Sequence, residues 1–590
     1  MTAQDELQAP LAPIPKDEPH DLLAAFVRLW SVWQALETGV LCLLISFCLG
    51  SGVGDATLQT PSTRFVSVLS ILVLVVVNVS PTFPCIVTAL TLAIALHVYK
   101  IPFVYDFEIW SVQMQLSVLA ICGYALLAKP CLLQRGETQL HLRNAILREC
   151  GVVIQWQLVI FYSAAGMWKL NSSFCNWQIS CAPVLSVQLI ASLLPEAATP
   201  PGLITWIVRC SPAFTIAVEL TIPLLLAQAP GKYRSIGLAL GLVFHFVIMC
   251  LPSPNNAGAF AVTAACFYFF LLPAEAAAVM RANWKGPSIR TAFVICLILL
   301  GVWISACRYD FAFAAYFALL TVLVPSIYQH YVQPDTTFFS SGSNRFVKPL
   351  RIMLMVIAVV YAYVLPVLGL QDMGAATMYA NVHVYSGSNH FFLPTGLMFS
   401  VFELFGSPNS DATFAGGILR IDGTTSHYIK GMFPAEATAM LSPPRVPALL
   451  RDAGHSGRQF MPYETRIIGP RFLEKSVKGE AAPYLIPAIE LRRLLGEARA
   501  LGENFALTYT RLPSKKWSRG NEQDIVHLEE HTDGNGARWL NCTLLPMGKA
   551  CSPTEVARQP PPVWLARKFL LYFPIPVKPG TYDHELGCIS

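Results

Sequence analysis

Charge is what this sequence has least of. Only 13% of its residues are charged, against roughly 25% in a soluble globular chain, while 54% are hydrophobic and the mean hydropathy is +0.50. That shortage excludes an ordinary soluble domain and predicts an α-helical polytopic membrane protein. A net charge of +5 is too mild to imply a nucleic-acid partner. No Walker-type phosphate loop, G-x-S-x-G elbow or C-x-x-C pair occurs, which removes the common soluble enzyme classes. The 16 cysteines form no disulfide framework, since Cys42, Cys48, Cys122, Cys250 and Cys296 lie in apolar runs where cysteine packs as a small hydrophobe. The polar first segment, Met1 to Asp21, lacks the basic region and short apolar core of a signal peptide, so insertion is expected to rely on the first span. Internal repeats and long low-complexity segments are missing too.

Apolar runs of about 17–25 residues fall near 33–50, 64–80, 83–99, 110–128, 150–168, 212–228, 235–251, 256–274, 291–307, 310–328 and 350–370. They predict about eleven spans. A shorter run, Pro183 to Leu194, reads as re-entrant or interfacial. Basic loops are retained in the cytosol, and those carrying Lys129 to Arg148, Lys232 and Arg234, Arg281 to Arg290, and Arg345 and Lys348 all fall on one side if the N-terminus is cytosolic. The chain then divides into a polar tail (1–20), a membrane core (21–275), further spans (276–370) and a lumenal or exoplasmic α+β domain (371–590). The lipid bilayer is the first partner, in the endoplasmic reticulum, another endomembrane or the plasma membrane.

Two sequons agree with this topology. Asn171-Ser172-Ser173 and Asn541-Cys542-Thr543 both fall on the lumenal side and make Asn171 and Asn541 glycosylation candidates, hence a glycoprotein. Cys175 with Cys181, and Cys542 with Cys551, are the disulfide candidates of an oxidising compartment. Within the tail, Pro487 to Ala500 sets Ile489, Leu491, Leu494, Leu495 and Ala498 near one helical face. Phe505, Leu507 and Tyr509 alternate as in a half-buried strand. Short strands are expected around 383–385, 391–393, 415–421, 503–511 and 537–545. His527-Leu528-Glu529-Glu530-His531 matches the H-x-x-E-H pattern of inverted zinc peptidases. It runs into the turn signal Thr532 to Gly536, so it reads as a solvated histidine–glutamate edge, and no metal is expected.

Ionisable residues inside apolar runs carry more information, because each costs about 2.5–3.5 kcal/mol at mid-membrane and usually faces a cavity or a partner. Glu219 lies in "FTIAVELTIPLLL", His245 in "LGLVFHFVIMC", and Lys169 ends the fifth run. Singly, Lys169 reads as an interfacial anchor and His245 as a packing residue; together across consecutive segments they predict one polar cavity.

The segments "YSAAGMWKLN" (Tyr162 to Asn171), "VELTIPLLL" (Val218 to Leu226), "GLVFHFVIM" (Gly241 to Met249) and "AGAFAVTAACFYFF" (Ala257 to Phe270), in that order, resemble the horizontally transferred transmembrane (HTTM) domain. This is the membrane core shared by vitamin K-dependent gamma-carboxylase and its relatives. The resemblance covers roughly residues 20–275 and implies a carboxylase-like lyase with a quinol such as vitamin K hydroquinone as cofactor. It implies Lys169 as the base that deprotonates the quinol, with His245, Gly258 and Phe260 lining or supporting the cavity. A lumenal protein or small molecule would be the substrate. A lysine is protonated at neutral pH, and burial beside Met167 and Trp168 is the recognised way to change that.

The sequence also departs from the carboxylase. Trp168-Lys169 stands where the carboxylase has two adjacent lysines, and Tyr105 to Leu119 holds no histidine, only Asp106 and Glu108. "MYANVHVYSGSNHFFLP" (Met378 to Pro394) resembles the post-membrane segment of multi-span relatives. Its His383, Asn389 and His390 either close the lumenal face of the cavity or edge a strand-turn-strand. The alternative function is a non-catalytic membrane scaffold, or a small-molecule binding or transport module that keeps the fold.

Overall fold

A computed structural model describes residues 21–50, 61–100, 106–128, 137–195, 198–251, 257–283, 289–308, 312–333 and 347–367. Beyond these it describes 376–378, 380, 418–432, 445–455, 459–460, 484–512, 525–532, 538–545, 548–550, 575–576 and 588–589. The first part is a helical bundle. Its helices are α1 (Leu22–Gly50), α2 (Pro61–Val79), α3 (Phe83–Lys100), α4 (Asp106–Ala128), α5 (Glu137–Trp168), the single turn α6 (Ser172–Cys175), α7 (Cys181–Leu193) and α8 (Pro201–Leu226). There follow α9 (Lys232–Met249), α10 (Ala257–Tyr268), α11 (Pro273–Asn283), α12 (Ile289–Arg308), α13 (Ala312–Val332) and α14 (Val347–Val359). Among the described residues five helices are long and apolar enough to cross a membrane: Asp106–Leu127, Arg143–Trp168, Pro201–Leu226, Lys232–Met249 and Ala312–Val332.

The span expected at 256–274 is not straight. After the 3-10 turn Phe269–Leu271 the chain bends by 106° into α11. Pro273 causes the break, because it lacks an N–H and pushes Leu272 out of the helical region, to φ −135° and ψ 37°. The helix around the expected span 212–228 starts earlier, at Pro201, where a proline suits the first turn. The run read as re-entrant is the helix α7, capped by the Ser180 hydroxyl accepting from Ala182 N–H at 3.3 Å.

Helix α5 is the axis of the bundle and packs on α1, α4, α8 and α14. Its core side is lined by Val153, Ile154, Leu158, Phe161, Ala164 and Trp168, all buried. Trp110 stacks on Phe161 with centroids 4.1 Å apart. Helix α14 runs into a π-helical turn, Val360–Val364. A π turn leaves a carbonyl off the regular ladder, and here the Trp168 indole donates to Ala362 O at 2.9 Å. Trp168 is thus a buried strut between α5 and that turn.

The tail forms a small sheet domain. A seven-stranded antiparallel sheet has the order β7-β6-β5-β4-β1-β3-β8. Its strands are β1 (Ile418–Thr424), β3 (Tyr484–Pro487), β4 (Phe505–Leu512), β5 (Ile525–Thr532), β6 (Arg538–Leu545), β7 (Lys549–Ala550) and β8 (Ile575–Pro576). A separate parallel pair joins β2 (Gln459–Phe460) to β9 (Cys588–Ile589). Among the described residues of the tail there are also the helices α15 (His427–Met432), α16 (Val446–Asp452) and α17 (Ala488–Ala500). As the pattern predicts, α17 turns Leu491, Leu494, Leu495 and Ala498 into a core with Leu507, Tyr509, Val526 and Leu528. The expected strands at 415–421, 503–511 and 537–545 correspond to β1, β4 and β6; those at 383–385 and 391–393 lie outside the described residues.

The H-x-x-E-H segment, read as a solvated histidine–glutamate edge, lies on the strand β5 between β4 and β6, with His527 and Glu529 partly exposed. On a strand, residues four apart are separated by roughly 13 Å, too far for His527 and His531 to share a zinc as they would across one helical turn. His527 instead meets Thr508 Oγ1 at 2.9 Å and Glu529 Oε1 at 3.3 Å on the open face.

Candidate functional site

Lys169 directly follows α5, with its side chain turned inward. Its ammonium lies 2.7 Å from Glu219 Oε2 of α8, and the two side chains are 3% and 6% exposed. It also donates to Ala165 O at 3.2 Å and to Met378 O at 2.7 Å, and stands 5.6 Å from the Phe174 ring centroid. Asp106, at the start of α4, lies within Coulombic reach of the same ammonium. The close approach of α5 to α8 depends on Gly166, where a Cβ would meet the Leu220 side chain at 2.7 Å. An interfacial anchor would reach for water; this lysine is folded into the protein.

Two helical turns below, on the same face of α5, Tyr162 bonds to His245 Nε2 of α9 and, at 2.7 Å, to the Tyr268 hydroxyl of α10. His245 is fully buried, its Nδ1 has no partner among the described residues, and its ring stands edge-on to Phe260 at 4.6 Å. Gly241 makes room for this group, because a Cβ there would lie 2.1 Å from Tyr268 Oη. Gly258 is buried in the first turn of α10. The structure therefore brings Lys169 to Glu219, and His245 to Phe260, as two neighbouring polar points in one apolar bundle. His383 and His390 lie outside the described residues.

Sequence reasoning missed Tyr162, Tyr268 and the carbonyl of Met378. Tyr162 was findable, since it precedes Lys169 by two turns on one face; nothing in the sequence around Met378 marks its carbonyl. Met378 is also the one non-glycine residue with positive φ (34°) among the described residues.

Two expectations are corrected here. Asn171 is buried, its amide donating to Trp168 O at 2.7 Å and Ala380 O at 2.8 Å while its oxygen accepts from Phe174 N–H at 2.7 Å. A side chain so engaged offers no nitrogen to a glycosyl donor. The pairing of Cys175 with Cys181 does not form: Cys175 is a free thiol with Sγ toward Lys169 O at 3.8 Å, while Cys181 is in a disulfide with another cysteine. Asn541 is exposed on β6, and Cys542 is disulfide-bonded; Cys551 lies outside the described residues.

Among the described residues no group of three metal ligands forms. Residues 388–568 match a family described as a domain of unknown function, DUF8388, a match that takes in β1 through β7 and leaves out the helical bundle. No curated protein and no solved structure matches the chain.

Proposed function

We propose that this is a multi-span integral membrane protein with an HTTM-like core, its N-terminus cytosolic and its sheet domain lumenal or exoplasmic. In this reading the Lys169–Glu219 pair is the proton-handling centre of quinol-linked, carboxylase-type chemistry. The observation that carries it is the inward position of Lys169, 2.7 Å from a carboxylate and shielded from water. Charges are costly in such a setting, and Glu219 gives the lysine proton somewhere to go, which frees an amine to act as base. Among the described residues His245 Nδ1 has no hydrogen-bond partner, and the rings of Phe260, Tyr162 and Tyr268 stand around the imidazole; a free ring nitrogen beside aromatic side chains is the chemistry that would recognise a flat, hydroxylated ring. His245 and Phe260 would hold such a ring and Lys169 would take its proton; the quinol itself would supply the acidic hydroxyl and the reducing equivalents.

The test uses the full chain in lipid nanodiscs with vitamin K hydroquinone, oxygen, bicarbonate and a glutamate-containing peptide. Epoxide and carboxylated peptide are measured for the unaltered protein, Lys169→Met and Glu219→Gln. Loss of about a hundredfold or more in both variants is expected. Absence of both products with the unaltered protein sinks the reading.

One observation favours a second reading. All three ammonium hydrogens have acceptors within reach, Ala165 O, Met378 O and Glu219. A lysine so held serves a non-catalytic scaffold or a binding or transport module, tying the bundle to residue 378. In that case the unaltered protein turns over no quinol, and lowered stability is the whole effect of Lys169→Met.

A further inference from the structure

Arg209 stands on α8 among side chains that face outward: Trp206, Phe214 and Leu203 are 64%, 68% and 39% exposed. Its guanidinium lies 5.5 Å from the Trp177 ring centroid, and among the described residues no carboxylate pairs with it. A cation on an apolar helix surface is costly in a bilayer unless it finds an anion. Beside it runs a groove of about 330 Å³ lined by Cys175, Arg209, Pro212, Ala213, Ile216 and Ala217. The lining is apolar except for the cation at one point and the thiol at another. The short side chains of Ala213 and Ala217 leave the helix surface recessed.

We propose that this groove binds a single-chain anionic amphiphile. The acyl chain lies along Pro212, Ala213, Ile216 and Ala217, and the carboxylate or phosphate head takes the guanidinium of Arg209. Charge selects the occupant. A guanidinium matches carboxylate and phosphate oxygens bidentately, and a neutral lipid or an uncharged quinol offers it nothing comparable. The site is separate from the Lys169 reading and stands if that reading fails.

Cys175 is a free, exposed thiol on the groove wall and serves as the reporter. The full chain is placed in phosphatidylcholine nanodiscs and treated with a maleimide, and modification at Cys175 is followed by peptide mass analysis. Added ligands are oleate, lysophosphatidate and neutral monoolein. At ten times the half-saturating concentration, an anionic ligand slows labelling about tenfold; protection by only one of the two names the head group. Arg209→Lys retains protection, Arg209→Gln loses it, and Ala213→Phe loses it by filling the groove while keeping the cation. Equal protection by monoolein, undiminished protection in Arg209→Gln or in Ala213→Phe, or no protection by either anion overturns the proposal.

Discussion

Two buried carboxylates, Glu219 in the bundle and Glu530 in the sheet domain, each face a basic side chain, and their surroundings differ. Glu219 faces Lys169 with both side chains nearly sealed. Glu530 faces Arg499 across the α17–β5 contact, where it accepts from Arg499 Nε at 2.9 and 3.0 Å and from Nη2 at 2.9 Å; the arginine is 27% exposed. Water reaches one partner in the sheet domain and neither in the bundle. A pair without water is obligatory: remove one member and the other is left as an uncompensated charge, so the cost lies in the orphan more than in the lost attraction.

The largest effect expected from this comparison is at the sealed pair. Lys169→Met or Glu219→Gln alone lowers stability by about 3–5 kcal/mol, read as thermal unfolding of the full chain in nanodiscs. The double substitution recovers much of that loss, because neither charge is stranded. Losses that simply add in the double variant would show that the two groups do not depend on each other.

Next comes the half-exposed pair. Arg499→Ala leaves Glu530 buried but close to water entering where the guanidinium was, and about 1–3 kcal/mol is expected. Here the double variant with Glu530→Gln recovers less than in the bundle, since solvent already compensates the survivor. Hydrogen exchange of β5 amides checks it. Recovery as large as that at Lys169–Glu219 would erase the distinction between the two settings.

The sheet domain and the bundle also differ in how much of them the sequence reveals. In the bundle, scarcity makes charge legible: Lys169, Glu219 and His245 stand out in apolar runs, and burial cost explains why they face inward. The partners that complete the site are not legible, because Ala380 and Met378 contribute backbone carbonyls, which any residue provides, from more than 200 positions away. For the same reason the sequon at Asn171 misleads: three local residues define it, and a remote segment buries it. In the sheet domain α17 and β4 follow from periodicity, while β5 hides because His527, Glu529 and His531 put polar side chains on the open face of a strand interior to the sheet. The break before Pro273 was readable from the proline alone; apolarity on both sides of it concealed the bend.

A smaller effect concerns the segment between the two regions. Helix α16 packs Val446 and Leu450 against α7 and α8, and His455 closes the contact by meeting Ser180 O at 3.0 Å. Burial pushes the His455 imidazole below its ordinary value, partly offset by that carbonyl. A group whose folded pKa is lowered is held neutral in the folded state, so its burial costs nothing above about pH 6.5 and opposes folding as pH falls below that. Exchange protection of 446–453 is therefore expected to drop between about pH 7.5 and about pH 5.5. His455→Gln, which keeps a donor without a titrating group, flattens that dependence. An unchanged slope in the variant would assign it to other groups.

The smallest effect expected is at the first histidine of the H-x-x-E-H segment. His527 is one-third exposed and Glu529 more so, so each is already compensated by water whether or not the other is present. Exposed pairs of this kind contribute about 0–1 kcal/mol, and His527→Ala is expected to fall near the bottom of that range by denaturant unfolding. Chelator treatment leaves the same midpoint, because β5 sets His527 and His531 too far apart for one ion. A chelator-sensitive midpoint that His527→Ala abolishes would mean that the segment is not held as this strand. It would also remove the contrast between a bundle that must pair its charges and a sheet face that need not.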